Sequence, residues 1–421
     1  GPRGCGLSSY YSRIANNSHY QVILHSMTTS TSSTQAMPVR AEFIFSSGSR
    51  ELHAHGVRET ITVPAINGDA ADSPLQQQVR AAFDRARKAG MENPVVVGAI
   101  PFDVNQPSQL YVPETAAWQE ADPSTHAQAM PMPALRSMDT VPDQHGFQQG
   151  VANAIAAFPA EGIHKVVLSI TSRLHFTEAV PVAALRTNLR RLNPSGYLFQ
   201  VPLPGNIHLV GVSPELLIEK HGATVQSNPL AGSARRQADP AEDRATAERL
   251  SASGKDHHEH QFVTADIRAR LAPLCTALDV PARPSLINTA ALWHLSTRIR
   301  GELQDPQTNA LQLACCIHPT PAVCGTPRDA AHALIRRIEP YDRGLFTGIV
   351  GWMDAQGNGE WVVTIRCGVL HDRCLQIYAG AGIVDASDPL SEWNEVQTKQ
   401  DTMLRACGLG EEQTAPIPTA A

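Results

Sequence analysis

Several features that would mark a metal-ribbon, membrane or nucleic-acid-binding protein are missing from this sequence. Its eight cysteines are scattered and never form a Cys-x-x-Cys spacing, which argues against a zinc ribbon or a disulfide scaffold and suits a reducing compartment. No apolar run approaches the ~18 residues that a membrane-spanning helix needs. The net charge of −6 does not indicate the positively charged surface that nucleic-acid binding requires. We therefore expect a cytoplasmic protein that has neither a membrane nor a nucleic acid as its partner.

The remaining composition is that of a globular protein, with 42% hydrophobic and 18% charged residues. The length of 421 residues suffices for one large core or for several domains. A run of Ser and Thr at 28–34 predicts that residues 1–38 form a disordered extension, which lacks the apolar segment of a secretory signal. We expect a single folded domain over 39–410 and a flexible tail over 411–421.

The most informative stretch lies in a helix predicted over 240–272. At four-residue steps, one face of this helix carries Lys255, Glu259, Val263, Ile267 and Leu271. The three apolar residues identify this face as the buried one, so Glu259 points inward. A buried carboxylate is costly unless it is paired or holds a cation, and Glu259 is therefore a candidate metal ligand.

A second helix, predicted to start at Asp388-Pro389, carries Glu392, Glu395 and Lys399 on one face. The spacing alone also allows a solvated charged face, but the apolar neighbours favour an inward orientation. Together with Glu259, this helix could offer two or three carboxylates to one cation. Oxygen ligands without a thiolate favour Mg²⁺ over Zn²⁺.

Three histidines adjoin Glu259 and raise the alternative of a zinc hydrolase. They are His257, His258 and His260, and they match neither the His-Glu-x-x-His nor the His-x-x-Glu-His spacing. Residues two apart on a helix do not face each other. We therefore predict that these histidines support the site and do not bind the metal.

Two ionisable residues near predicted strands are candidates for acid–base chemistry. Lys165 heads a strand predicted over 165–170, where a half-buried amine can act as a general base. The alternative is an edge lysine whose ammonium reaches solvent. Glu215 follows Pro214 in a bend between strands, which either aims its carboxyl into a cleft or leaves it as a solvated turn residue.

Other positions suggest contacts with an anion. Arg366 is placed on one face of a central strand predicted over 361–370, and a core arginine demands an anionic partner. The small residues at 379–384 lack a full Gly-x-Gly-x-x-Gly pattern, and we predict that they present backbone amides to an anion. His294 is by default a core histidine whose hydrogen bonds are satisfied.

Short strands and helices alternate along the rest of the chain. Single strands are predicted over 224–231 and 292–299, whereas 104–146 is predicted as peripheral loops. Many antiparallel strands with helices between them predict an α+β layered architecture.

Ten blocks of the sequence, in order, resemble a known family. The blocks are Lys165–Ser169, Ser213–Leu217, Pro229–Arg236, Lys255–His260, Leu292–Leu295, His318–Ala322, Glu339–Phe346, Gly348–Trp352, Gly359–Cys367 and Ala379–Lys399. The family is that of the isochorismate synthases, which belong to the chorismate-utilising enzymes of menaquinone, siderophore and tryptophan biosynthesis. The resemblance is greatest to the synthases of enterobactin-type catecholate siderophore pathways.

The resemblance implies one chorismate-binding catalytic domain, with large antiparallel sheets, helices packed outside them and the active site between. It implies that chorismate is the substrate and Mg²⁺ the cofactor. Lys165 matches the base that activates water for attack at C2, and Glu215 matches the acid that protonates the departing C4 hydroxyl. Glu259 and Glu395 match Mg²⁺ ligands, with Glu392 nearby.

The remaining matches are substrate contacts. They are Gly232, Ser233 and Lys399 for the ring carboxylate, Arg366 and Gly380 for the enolpyruvyl carboxylate, and His294, Ala322 and Phe346 beside the ring. Because chorismate is a dianion, its site needs cations, and the resemblance supplies Mg²⁺, Arg366 and Lys399.

The branch of the family is a separate question. His318–Ala322 and Trp293-His294 resemble the isochorismate branch. Salicylate synthases, which go on to expel pyruvate, are the alternative, and a non-catalytic chorismate-binding relative is a second one. The resemblance also implies a monomer without the glutaminase subunit that anthranilate synthases use.

Two positions depart from the family pattern. Ile170 stands where relatives often have Arg, and Gly254 stands where near relatives have Glu. Inside the predicted helix, Gly254 would cost about 1 kcal/mol relative to alanine. Its missing carboxylate could also weaken Mg²⁺ binding.

Overall fold

Antiparallel β-sheets dominate the fold of this chain, for which a computed structural model describes residues 41–121 and 128–410. All described residues belong to one compact unit. The predicted extension at 1–38 and the predicted tail at 411–421 lie outside the described residues. In the described part, no helix combines the length and the apolar character that crossing a membrane requires.

The described residues form 22 strands and eight α-helices. The strands are β1 (Glu42–Ser47), β2 (Arg50–His55), β3 (Glu59–Ile61), β4 (Val95–Ile100), β5 (Gln109–Val112), β6 (Thr115–Glu120), β7 (Leu135–Val141), β8 (Lys165–Phe176), β9 (Tyr197–Leu203), β10 (Ile207–Ser213), β11 (Leu216–His221), β12 (Thr224–Asn228), β13 (Leu230–Arg235), β14 (Cys275–Asp279), β15 (Ser285–Asn288), β16 (Leu292–Ser296), β17 (Ile299–Leu303), β18 (Gly325–Thr326), β19 (Ile349–Asp354), β20 (Gly359–Val363), β21 (Cys367–His371) and β22 (Cys374–Ile383). The helices are α1 (Pro74–Lys88), α2 (Gln144–Glu161), α3 (Val182–Leu192), α4 (Pro240–Ala252), α5 (Gly254–Leu271), α6 (Ala310–Ile317), α7 (Arg328–Ile338) and α8 (Pro389–Ala406).

The strands pair into three antiparallel sheets. A ten-stranded sheet has the order β18-β8-β22-β21-β10-β9-β1-β2-β6, and β7 pairs with β8 beside this path. A nine-stranded sheet has the order β14-β17-β12-β11-β20-β19-β4-β5-β3, and a small sheet has the order β13-β16-β15. The α+β prediction with large antiparallel sheets is therefore confirmed.

The two large sheets share one apolar core. It contains Phe43 and Phe199 from the ten-stranded sheet, together with Tyr111 and Val350 from the nine-stranded sheet. Each large apolar side chain that is fully buried contributes about 1.5–3 kcal/mol relative to exposure. This interlayer packing holds the sheets against each other and fixes where their connecting segments meet.

Helices cover other faces of the large sheets. Val263 and Ile267 of α5 pack in a core with residues of the nine-stranded sheet, as the four-residue spacing predicted. Val396 of α8 packs in a core with residues of the ten-stranded sheet. These two helices bring Glu259 and Glu395 toward the interior.

The helix predicted over 240–272 is in fact two helices. Ser253 adopts an extended conformation, and its Oγ accepts a hydrogen bond of 3.2 Å from the backbone N of Asp256, so it caps α5. Because Ser253 interrupts the helical hydrogen bonds, Gly254 is the first residue of α5 and does not lie in a helix interior. The predicted cost of a glycine inside a helix therefore does not apply at this position.

The loops predicted over 104–146 include three strands and the start of α2. Strands β5, β6 and β7 lie there, and β6 is largely exposed. The strands β6 and β7 pair with β2 and β8, respectively. Their backbone hydrogen bonds come from partners distant in sequence, and their side chains lack an apolar alternation, so the prediction was wrong.

Three segments predicted as single strands each divide between two of the three sheets. The segment 224–231 contributes to β12 and β13, 292–299 to β16 and β17, and 361–370 to β20 and β21. Pro229, which has no amide hydrogen to donate to a sheet, marks the first crossing. Apolar residues are buried in either sheet, so hydrophobicity does not reveal where the chain leaves one sheet for the other.

Candidate active site

A cavity lies where the chain crosses between the sheets. The space between its walls, with the open mouth included, is about 610 Å³. It is lined by ten of the predicted site residues: Glu215, Gly232, Ser233, Glu259, His294, Ala322, Phe346, Arg366, Gly380 and Lys399. The structure therefore brings together residues that are up to 184 positions apart, from Glu215 to Lys399.

Three predicted site residues do not line this cavity. Lys165 lies behind it and contacts Glu259, which does line it. Glu395 lines a neighbouring cavity, and Ser233 lines both. Glu392 is buried and contacts Lys255 of α5.

Lys165 is more buried than the sequence predicted. It is 0% exposed, which excludes the alternative of an ammonium that reaches solvent. Its Nζ lies 3.1 Å from Glu259 Oε1, without a well-aligned hydrogen bond to any described residue. Gly382 of the neighbouring strand allows this approach, since a Cβ there would overlap Glu259 Oε1. The pair therefore holds an amine and a carboxylate in direct contact beside the cavity.

Glu215 is a buried acid at the crossing from β10 to β11. It is 3% exposed, so the alternative of a solvated turn residue is wrong. Burial raises the pKa of Glu215 to about 7, although the backbone N–H of Leu230 and the charge of Lys165 favour its ionised form. Glu215 thus carries its proton up to near-neutral pH, as a general acid must.

Arg366 lies at the crossing from β20 to β21. The sequence predicts it within a central strand, and that prediction is wrong. Its φ of 51° places it in the left-handed region, as does the φ of 60° at Thr347, which also lines the cavity. Non-glycine residues adopt this region only where the surroundings compensate the strain. Within the described residues, no carboxylate forms an ion pair with Arg366, which remains available to a ligand anion.

Lys399 and Gly380 are in direct contact. Lys399 Nζ donates hydrogen bonds to Gly380 O at 2.8 Å and to Glu395 Oε1 at 2.5 Å. Gly380 lies inside β22, paired with Ser169, so most of the segment 379–384, which was predicted to present backbone amides to an anion, belongs to a strand. Its carbonyl is engaged by Lys399, and the ammonium of Lys399 is the cationic group at this wall.

Two buried polar atoms of residues that line the cavity have no hydrogen-bond partner among the described residues. They are Ser233 Oγ and His294 Nε2. Burial, together with the charges of Arg366 and Lys399, holds the pKa of His294 well below its ordinary value, so its ring is neutral. An unsatisfied buried polar group costs about 1–3 kcal/mol. A polar ligand in the cavity would remove this cost, which supports a binding role for both residues.

Each of the three predicted metal ligands is paired with a lysine. Besides the Lys165–Glu259 contact, Lys255 Nζ lies 2.6 Å from Glu392 Oε1 and Lys399 Nζ lies 2.5 Å from Glu395 Oε1.

In the described part of the chain, the three carboxylates do not all lie within 4.8 Å of one another. Burial and the charge of Glu395 raise the pKa of Glu392 to about 7. Oxygen donors of this kind are the ligands that a hard divalent cation such as Mg²⁺ prefers, and the lysine contacts would have to open before these carboxylates could bind it.

The histidines next to Glu259 are held by the protein itself. His260 Nδ1 lies 3.0 Å from Ala231 O, and its Nε2 lies 2.7 Å from Thr297 Oγ1. His257 Nε2 lies 2.7 Å from Ser251 O. These contacts occupy the ring nitrogens of His260, in keeping with the predicted supporting role.

Several residues of this region were not predicted from the sequence. Val167, Thr347 and Ile365 line the cavity, and Lys255 neutralises Glu392. The position of Lys255 on the same helical face as Glu259 was a usable signal. For Thr347 the deciding property is its left-handed backbone, which the residue type does not reveal.

Replacing Glu215 with Gln is expected to stabilise the protein at alkaline pH. The folded-state pKa of about 7 exceeds the ordinary value of 4.5, so the unfolded chain ionises first and wild-type stability falls between these pH values. Gln resembles the protonated acid and avoids this loss. The gain should be near zero at pH 4 and on the order of 3 kcal/mol above pH 7.

Urea unfolding at several pH values measures this difference. Glu178→Gln, at an exposed position, is the control and should show no comparable gain. A Glu215→Gln variant whose stability follows the wild type at every pH would contradict the raised pKa.

Comparisons with known proteins give a consistent picture. The profile of a family described as "Chorismate binding enzyme" matches residues 106–408. The chain is 46% identical to isochorismate synthase EntC of Escherichia coli (strain K12) over 382 residues, which cover 89% of this chain and 97% of that protein. It is 41% identical to isochorismate synthase DhbC of Bacillus subtilis (strain 168), over 87% of this chain and 94% of that protein.

A solved structure is similar throughout the described fold. It is a putative 2,3-dihydroxybenzoate-specific isochorismate synthase, DhbC, from Bacillus anthracis, which superposes with a TM-score of 0.82 at 41% identity. The match covers 89% of this chain and 97% of that one. Sequence and fold therefore agree over the whole region that builds the cavity.

Proposed function

The chain belongs to the chorismate-binding enzymes, and we propose that it is an isochorismate synthase, which isomerises chorismate to isochorismate. The observation that carries the proposal is the cavity in which Glu215 keeps its proton up to about pH 7 while the Lys165 amine lies beside it, in contact with Glu259. Isomerisation needs an acid and a base at different ring atoms, in opposite protonation states. The two residues have the chemistry for these roles.

The proton balance of the reaction assigns the roles. For the role of base, Lys165 must separate from Glu259 and give its ammonium proton to solvent, after which the amine accepts a proton from the water that attacks C2. Glu215 donates its proton to the hydroxyl that leaves C4 as water. The ring double bonds shift, and the net composition is unchanged. Transfer of the proton from Lys165 back to Glu215 through solvent then restores the starting state.

The cavity also has the charges that a dianion needs. Arg366 and Lys399 supply cationic groups, and Ser233 Oγ and His294 Nε2 are free to contact a polar ligand. Phe346 provides an apolar wall, held by stacking on Tyr378 with ring centroids 4.9 Å apart. We infer that the two carboxylates of chorismate bind the cations and that its ring lies along Phe346.

Glu259, Glu395 and, close by, Glu392 would hold Mg²⁺, which when bound supplies positive charge against the ring carboxylate. Each of these carboxylates has a lysine within 3.1 Å. For Glu259 to take the ion, Lys165 must leave its carboxylate, which would free the amine for its role as base.

Glu259→Gln is expected to raise the Mg²⁺ concentration for half-maximal activity at least tenfold, because losing even an outer contact of a metal site costs about 10–100-fold in affinity. The Mg²⁺ titration of turnover is the measurement. A parallel calorimetric titration of Mg²⁺ reports binding without turnover. Glu248→Gln, at an exposed site of α4, is the control, and an unchanged titration for Glu259→Gln would remove this residue from the metal site.

Product analysis tests the proposed function directly. The protein is incubated with chorismate and Mg²⁺, and the products are separated by chromatography. Isochorismate as the main early product is the expected result. Salicylate with pyruvate would identify a salicylate synthase, and binding without conversion would identify a non-catalytic relative.

The wider setting follows from the same family membership. We propose that the product feeds 2,3-dihydroxybenzoate and catecholate siderophore synthesis, in line with the specificity in the name of the similar Bacillus anthracis structure. We also propose a cytoplasmic monomer that works without a glutaminase subunit. Light scattering of the purified chain tests the monomer.

A further inference from the structure

We propose that the chain carries a second metal site, for a divalent transition ion, at Glu42, His53 and His55 of the β1–β2 hairpin. The ligand atoms that these side chains offer all lie within 4.8 Å of one another. Among the described residues, this is the one group of three or more His, Cys, Asp or Glu side chains that meets this distance. It shares no residue with the cavity or with the carboxylates proposed for Mg²⁺.

The strand pairing explains why the three side chains meet. His53 and His55 are two residues apart on β2 and therefore project from the same face of the sheet. Glu42 is paired directly with His55 across the antiparallel ladder, where Cβ atoms lie about 4.5–5.5 Å apart. The cluster is thus fixed by the register of two adjacent strands and needs no chance meeting of long side chains.

A buried carboxylate adjoins one of the imidazoles. Glu51 Oε2 lies 3.2 Å from His53 Nε2, and Arg190 Nη2 lies 3.1 Å from Glu51 Oε1. A carboxylate that contacts the ring nitrogen opposite the ligating one orients a metal-binding imidazole and increases its basicity, so Nδ1 of His53 would be the ligand atom. Glu51 and Arg190 therefore supply the kind of outer contacts that metal sites use.

The contacts that Glu42 already makes are long. Gln200 Nε2 lies 3.3 Å and Arg186 Nη1 lies 3.5 Å from Glu42 Oε2, whereas Arg186 makes its short contact, of 2.6 Å, with Gln200 Oε1. An ion at Glu42 would compete with weak contacts only. Arg186 would keep its hydrogen bond to Gln200.

The ligand set selects the class of ion. Two imidazoles and one carboxylate suit Zn²⁺, Co²⁺, Ni²⁺ or Cu²⁺, whereas Mg²⁺ prefers oxygen ligands. At metal–ligand distances of about 2.0–2.2 Å, atoms that share an ion lie at most ~4.4 Å apart. A small rotation of the exposed His55 side chain can bring its ring nitrogen within this distance of the other ligand atoms. The ion would tie β1 to β2 beside the β6 edge of the ten-stranded sheet.

The test is a calorimetric titration of the protein, prepared without a histidine tag, with Co²⁺ and with Zn²⁺ in excess Mg²⁺. One equivalent is expected to bind at this site. His53→Ala and His55→Ala should each weaken that binding at least tenfold, and Zn²⁺ should raise the melting temperature of the wild type more than that of either variant. Tetrahedral Co²⁺ absorption bands, lost in both variants, would give an independent signature.

Two controls separate this site from the histidines next to Glu259. His145→Ala, at an exposed position, should bind like the wild type. His258→Ala should also leave the titration unchanged. The proposal is overturned if neither hairpin variant changes the binding of Co²⁺ and Zn²⁺, or if His258→Ala alone abolishes it. Because the readout is binding, the result is independent of the proposed isomerase activity.

Discussion

Replacing Lys165 with Met is expected to lower kcat for chorismate by about 10²- to 10⁴-fold, the usual contribution of a positioned general base. Lys165 is fully buried beside Glu259. Met keeps most of its volume but cannot accept a proton from water. Arg366 and Lys399 remain to bind the carboxylates, so KM should change much less than kcat. Steady-state kinetics with chromatographic detection of isochorismate measures both.

The matched control is Lys220→Met. Lys220 is also a buried lysine on a strand, 3% exposed, but it lies outside the cavity lining. Its replacement should alter stability without a comparable loss of kcat. If the Lys165 variant folds and turns over within a small factor of the wild type, Lys165 is not the base and the proposed proton transfers are wrong.

Local signals account for much of the candidate site. The four-residue spacing that placed Glu259 among apolar residues is a property of one helix, and the structure buries that face as expected. Glu259 can be placed from sequence because the period of the helix determines the direction of its side chain. The Pro214-Glu215 bend is also a local signal, but it leaves open whether the carboxyl enters a cleft or faces solvent.

The burial of Lys165 depends on distant residues. A lysine at the head of a strand would reach solvent unless other elements cover it. Here β22 pairs along β8, and Gly382 admits the Glu259 carboxylate to the same space. The covering strand is about 200 residues away in sequence. No pattern near Lys165 indicates it.

The position of Arg366 was missed for a related reason. Val363 and Cys367 are both fully buried, so the apolar pattern continues through the crossing between the sheets. The left-handed backbone at Arg366 is what turns the chain. Side-chain hydrophobicity reports burial, whereas the choice of sheet depends on which strand supplies the hydrogen bonds.

A buried ion pair supports the strand that carries Lys165. Arg343 Nη2 and Nε donate to Glu339 Oε1 and Oε2 at 2.6 and 2.8 Å, with both side chains at most 3% exposed. Glu339 Oε1 also accepts from Ser169 N and Oγ, and Arg343 Nη2 donates to Val167 O at 2.8 Å. The pair thus ties β8 to the segment after α7.

Glu339→Gln is expected to lower the free energy of unfolding by about 3–5 kcal/mol, because the charge of Arg343 remains buried without its partner. Urea denaturation measures this loss, and adding Arg343→Met should recover part of it, since the double variant leaves no unpaired charge. The control is Glu161→Gln, which breaks the exposed ion pair with Arg337 and should cost less than about 1 kcal/mol. An equally small loss for Glu339→Gln would mean that the pair does not hold β8, and the rigid placement of Lys165 would then need another cause.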